Sequence, residues 1–239
     1  MKILALDSSG LVASVAVVQD DNLLAEYTVN YKKTHSQTLL PMLDEIVRMT
    51  ELDLDTIDAI AVAAGPGSFT GLRIGSATAK GLGLALGKPL IGVPTVEALA
   101  YNLYDAPGLI CPIMDARRNQ VYTGIYEFEN HEMVTLKPQI AIGVDELTAE
   151  LNQRGQEVIF LGDGVAVYRE RILQNIQVPC SFAPVHLNKQ RAGAVAALGE
   201  KYFAEGRTET AREHQPDYLR VSQAERERAE REAKKNGTN

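Results

Sequence analysis

The chain has 239 residues, 45% of them apolar, enough for one large or two small domains with a buried core. Its 31 acidic residues against 24 basic ones give a net charge of −7, which argues against unaided nucleic-acid binding, a task that favours a basic face. Two cysteines, Cys111 and Cys180, without any CxxC or Cys/His cluster, indicate neither a disulfide framework nor a zinc site.

Residues 3–7 read as a short apolar strand ending on Asp7, with turn chemistry at Ser8-Ser9-Gly10. Strands at 12–18 and 23–29 follow, joined by Asp20-Asp21-Asn22. Thr34 or Ser36 is expected to cap a helix over 34–49, with Leu39, Leu40, Leu43, Ile46 and Val47 at helical spacing and Pro41 in its first turns. A buried strand at 57–64 leads through Gly65-Pro66-Gly67 into a second helix, 68–86, capped by Ser68 or Thr70. Lys88-Pro89 ends that helix; a strand at 90–93 and a helix from Pro94-Thr95 to about Tyr104 complete the order βββαβαβα.

Near residues 105–108 the pattern resets. An apolar run at 110–115 ends on Asp115, strands are expected at 120–128 and 133–142, and helices at 145–153, 165–174 and 188–204, with a strand at 158–161. Laying Asp7 on Asp115 matches residues 3–7 to 111–115 and 13–18 to 121–126. Duplicated βββαβα halves suggest a two-lobed α/β fold of the actin-like ATPase (ASKHA) type with a reduced second lobe. The expected divisions are 1–106, 107–221, with the 188–205 helix packing back on the first lobe, and a charged, disordered tail over 222–239. No apolar stretch reaches the length of a membrane span and the first residues lack a leader pattern, so a cytoplasmic protein is expected.

The second helix is unusual inside. Gly71, Gly75, Ala79, Gly83 and Gly87 recur every four residues, with Ala77, Gly81 and Ala85 as a second small row. Each interior glycine costs about 1 kcal/mol against alanine, so close approach of another backbone is expected as compensation. Asp7, Ser8 and Ser9 at one hairpin, with Gly65, Gly67 and Ser68 before the helix, are candidates to face a nucleotide's phosphates. The alternative is a hairpin whose side chains satisfy its own turn. Neither a Walker loop nor a GxGxxG fingerprint is present. In the second half Asp115 precedes Arg117 and Arg118, expected to pair with surface carboxylates, so a symmetric ATP-hydrolysing cleft is not expected. His35, His131, His186 and His214 have no metal spacing and are expected on surfaces or loops; no nucleophile–base set or GxSxG stands in the sequence.

AGPGSFTGLRIG at 64–75 resembles the TsaB (YeaZ) family of bacterial tRNA-modification proteins. LALDSS, THSQTLLPML, GKPLIGVPTVEALA, DARRNQVYTGIY and PDYLR extend the resemblance from residue 1 to about 220. It implies an actin-like fold and a role in forming N6-threonylcarbamoyladenosine at position 37 of tRNAs that read ANN codons. The catalytic relative, TsaD, carries a metal-binding His-x-Glu-x-His after a similar strand; here Thr95 and Leu99 stand at the two histidine positions, with Glu97 between them. The resemblance therefore implies a non-catalytic subunit that needs no cofactor or metal of its own, with ATP or ADP at the interface of the complex. Its implied partners are TsaD, the TsaE ATPase and tRNA through the complex, and a second copy when alone; no membrane is implied. The first two helices would form the contact, with His35, Leu39, Leu40, Leu43 and Ile46 as knobs and Gly71, Gly75, Ala79 and Gly83 as floor. The other readings are a small-molecule kinase of the same fold, favoured by Asp7-Ser8-Ser9, and a peptidase, for which no residue set is spaced.

Overall fold

The computed structural model describes residues 1–32 and 34–219; the charged tail expected at 222–239 lies outside them. Strand β1 (Lys2–Asp7) pairs antiparallel with β2 (Val12–Gln19), which pairs with β3 (Asn22–Asn30). Helix α1 (Leu39–Thr50) then leads to β4 (Ala59–Gly65), parallel to β1, and α2 (Phe69–Leu86) leads to β5 (Leu90–Pro94), parallel to β4. The first sheet thus has the order β3-β2-β1-β4-β5. After α3 (Thr95–Tyr101) the second half repeats the plan: β6 (Leu109–Asp115), β7 (Gln120–Glu129), β8 (Glu132–Gly143), α4 (Val144–Arg154), β9 (Val158–Leu161), α5 (Gly164–Asn175), β10 (Cys180–Phe182) and α6 (Ala192–Ala204). Its sheet order, β10-β9-β6-β7-β8, matches the first, strand for strand. The actin-like two-lobed fold is therefore present. The second sheet also has a fifth strand, β10, that the sequence reading omits.

Strands β1 and β4 read as continuous apolar runs because both their faces are buried. Leu4, Leu6, Ile60 and Val62 join Leu39, Leu43, Ile46 and Ala79 under α1 and α2. Ile3, Ala5, Ala59 and Ala61 point the other way, onto Val195, Ala196, Leu198 and Tyr202 of α6. A Cβ at Gly199 would lie 2.9 Å from the Ala61 Cβ, so α6 sits close on the sheet. Conversely Val96, Leu99 and Ala100 of α3 pack with Ile110, Met114, Tyr126 and Leu161 of the second half. The last helix of each half is thereby lent to the other half's sheet.

Three boundaries differ from expectation for identifiable reasons. α1 starts at Leu39, after a 3₁₀ turn at His35–Gln37. Proline 41 has no N–H for the residue-37 carbonyl and its ring crowds it, so the helix cannot extend further back. α3 stops at Tyr101, in turns that end with Asp105 at φ 57°. α6 begins at Ala192 because Asn188 is used elsewhere, its Oδ1 accepting the Gly162 N–H at 2.8 Å, and Arg191 is extended. No helix among the described residues is long and apolar enough to cross a membrane.

Candidate functional site

Residues at or just past the carboxyl ends of β1, β4, β6 and β9, namely Ser9, Pro66, Asp115 and Asp163, line one cleft, the usual place for a ligand in such folds. The cleft encloses about 470 Å³, and Ser9, Gly67, Ser68, Arg117, Tyr122 and Asp163 are among its lining residues. Ser68 caps α2, its Oγ accepting the Gly71 N–H at 3.3 Å.

The first hairpin is satisfied from within. Ser9 donates both its N–H and its Oγ–H to Asp7 Oδ1, at 2.8 and 2.7 Å. Ser8 Oγ donates to the Gly71 carbonyl at 2.9 Å, and the Ser68 N–H donates to the Ser9 carbonyl at 2.6 Å. Cβ atoms at Gly67 and Gly71 would lie 2.3 and 2.1 Å from the Ser9 and Ser8 carbonyl oxygens. The first turn of α2 therefore presses on the hairpin. Of the residues expected to face phosphate, Ser9, Gly67 and Ser68 line the cleft. Asp7 and Ser8 are buried behind it, and Gly65 lies under a crossing segment described below. Burial raises the Asp7 carboxyl to about 6 against the opposing Ser9 hydrogen bonds and His35.

The second hairpin is built differently. Arg117, Arg118 and Asn119 all adopt positive φ, 64°, 56° and 59°, a run that L-residues seldom take. Asp115 Oδ1 accepts the Arg117 N–H at 2.8 Å and the Tyr168 hydroxyl at 3.1 Å, and Arg117 Nη1 pairs with Asp115 Oδ2 at 3.2 Å. Asp163 Oδ1 accepts the Asp115 N–H at 3.3 Å, and burial pushes the Asp163 carboxyl above the usual range. The two halves thus contribute unlike walls: a closed hairpin on one side, paired carboxylates with an arginine on the other.

Residues 216–219, within the sequence motif PDYLR, form the end of a strap across this region. Glu209 pairs with β5 through reciprocal bonds to Leu90 at 2.9 and 2.8 Å. Further on, the Asp217 N–H donates to the Ala64 carbonyl at 2.7 Å, and Gln139 Nε2 of β8 donates to Asp217 Oδ2 at 2.9 Å. Tyr218 stacks on Phe69 at 4.9 Å, and the Arg73 guanidinium lies 4.7 Å over the Phe69 ring. A Cβ at Gly65 would sit 2.2 Å from the Asp217 carbonyl oxygen, which only glycine permits, at φ 126°. The sequence marks this segment as extended, but nothing in its residue types names Gln139 or Ala64 as partners.

The expected contact surface needs correction. Leu39, Leu43 and Ile46 lie in the chain's own core beneath α1, and Ala79 joins them. Gly71 and Gly75 clear the first hairpin; a Cβ at Gly75 would lie 2.5 Å from Ser8 Oγ. Gly83 faces Leu90. The smooth floor is therefore filled by this chain, and of the expected knobs only Leu40 is open, at 54% exposure. His35 turns its Nε2 to the Gly10 carbonyl at 2.8 Å. The outward face of α2 carries the second small row instead: Ala77, Gly81 and Ala85 are exposed, with Leu84 at 73%. Among the histidines, His214 is fully buried rather than superficial, with Nδ1 2.7 Å from Glu209 Oε1. Thr95 Oγ1 accepts the Gly65 N–H at 3.1 Å, and Leu99, 1% exposed, packs in the core. Both cysteines are free, and burial raises the Cys111 thiol to about 12.

Residues 22–228 match the sequence profile of the family described as TsaD: tRNA N6-adenosine threonylcarbamoyltransferase. The chain is 33% identical over 227 residues to the tRNA threonylcarbamoyladenosine biosynthesis protein TsaB of Bacillus subtilis, covering 94% of this chain and 96% of that one. It is 30% identical over 230 residues to TsaB of Escherichia coli, covering 92% and 95%. Among solved structures, YeaZ from Pseudomonas aeruginosa superposes with a TM-score of 0.78 at 26% identity, over 91% of this chain and 99% of that one.

Proposed function

The chain belongs to the TsaB (YeaZ) family of tRNA threonylcarbamoyladenosine biosynthesis proteins, and on that premise we propose that it is a non-catalytic subunit that binds and supports TsaD. The observation that carries this reading is the use made of α3. Thr95 holds the backbone at the end of β4, and Leu99 fills the core between lobes, so both positions serve packing. TsaD would act on tRNAs reading ANN codons, at position 37. TsaE and tRNA would be met through the complex, and ATP or ADP would sit at its interface. Alone, the chain would pair with a second copy.

The contact we assign is the outer face of α2, with Ala77, Gly81, Leu84 and Ala85, together with Leu40 on the flank of α1. Ala77, Gly81 and Ala85 allow a partner helix to approach closely, and Leu40 and Leu84 offer apolar area worth roughly 1.5–3 kcal/mol per fully buried side chain before association costs. Leu84→Asp should abolish association with TsaD while leaving the thermal midpoint nearly unchanged. Leu43→Asp, at a position 4% exposed, should unfold the chain instead. Retained TsaD binding by a folded Leu84→Asp variant would refute the assignment.

The decisive experiment is omission. TsaD, TsaE, threonylcarbamoyl-adenylate and unmodified tRNA from one species are combined with and without this chain, and modified adenosine is measured by mass spectrometry. Product only with the chain present is the expected outcome; equal product without it overturns the proposal.

A further inference from the structure

α6 covers the face of the first sheet opposite α1 and α2, so its outer side is remote from the contact assigned above. Between that side and the β2–β3 hairpin lies a groove of about 320 Å³. Its apolar walls are Val18, Leu23, Tyr101, Leu187, Ala194 and Ala197, and Asp21, Glu200 and Arg191 also line it. Glu200 is only 8% exposed, yet its Oε1 has no hydrogen-bond partner among the described residues. A buried carboxylate oxygen left so is costly, and burial first, then Asp21, raises this carboxyl above its ordinary range.

The neighbouring donors are committed elsewhere. Arg191 pairs with Glu26, whose other oxygen accepts the Gly193 N–H at 2.9 Å. Lys201 pairs with Glu132, and the N-terminal ammonium pairs with Asp20. The Asn102 amide donates to the Leu187 and Lys189 carbonyls at 3.1 and 2.8 Å. Asp21 and Glu200 therefore make no direct ion pair among the described residues: Arg191 lines the same groove but is held by Glu26, and the N-terminal ammonium acts on Glu200 only through space.

We propose that this groove binds an alkylammonium ligand, its aliphatic stem along Val18, Leu23, Ala194 and Ala197 and its ammonium on Glu200 and Asp21. An ammonium suits the site better than a guanidinium. Glu200 presents its unpartnered Oε1, a single acceptor rather than the two-oxygen edge a guanidinium fork requires.

The test is a calorimetric titration of the full chain with n-butylamine, with n-butanol as its neutral counterpart, and with an alanine peptide carrying one central lysine. Butylamine should bind and butanol should not. Glu200→Gln should weaken butylamine by at least about tenfold. Ala197→Leu, which fills the groove without touching charge, should abolish binding even if Glu200→Gln fails to fold. Tighter binding of the peptide than of butylamine identifies a polypeptide lysine as the natural occupant; butylamine binding without peptide binding identifies a free amine. Butanol binding as well as butylamine, a folded Glu200→Gln variant with unchanged affinity, undiminished binding by Ala197→Leu, or no amine binding at hundred-millimolar concentration overturns the proposal.

Discussion

Asp7 is visible in the sequence as the carboxylate at a strand end, but its surroundings are not. Whether such a hairpin opens to a ligand or closes on itself depends on how near α2 comes, and that is decided by glycines sixty residues away. In the folded chain Asp7 is 1% exposed and its carboxyl rises from 3.8 to about 6. The folded state therefore holds a proton through that window where the unfolded state does not, so stability falls as pH rises from about 4 to 6. The shift corresponds to roughly 3 kcal/mol lost above the window. Asp7→Asn keeps an oxygen for the Ser9 donors and removes the charge. It should be more stable than the parent at pH 8, with little difference at pH 4, in urea denaturation. An equal difference at both pH values would show that Asp7 is not held in this way. His214 was the least legible, since its burial beside Glu209 comes from the path of the strap.

α2 shows how far a pattern can be read. The four-residue recurrence of small side chains announces a close approach, and the structure supplies one. The two rows are nearly alike in composition, however, so the pattern does not say which faces inward. The difference is measurable. Gly71→Ala would drive a Cβ into the Ser8 carbonyl, a contact of 2.1 Å against rigid backbone, and should cost more than about 2 kcal/mol. Gly81→Ala meets nothing within 4 Å and should stabilise the isolated chain by about 0.5–1 kcal/mol through helix propensity. Thermal melts of the two variants should move in opposite directions, and a shared direction would reject the inward assignment of the first row. Strand β10 was not legible because three residues carry too little alternation to register.

At the scale of the molecule, the duplication was legible from Asp7 and Asp115, since repeated element order survives where side chains have diverged. The strap was not, because its partners Ala64 and Gln139 are distant in sequence and unremarkable in type. Tyr218→Ala removes its stack on Phe69, an interaction worth about 0.5–1.5 kcal/mol. Hydrogen exchange at the Asp217 amide should then quicken while the global midpoint scarcely moves; loss of both together would make the strap part of the central core. The loan of α6 to the first sheet has a consequence for biosynthesis. As the chain leaves the ribosome, the face formed by Ile3, Ala5, Ala59 and Ala61 is complete long before Val195 and Tyr202 exist to cover it. A nascent chain whose first 106 residues have emerged thus displays a finished but half-dressed sheet, and it is at that stage of synthesis that a chaperone has most to hold.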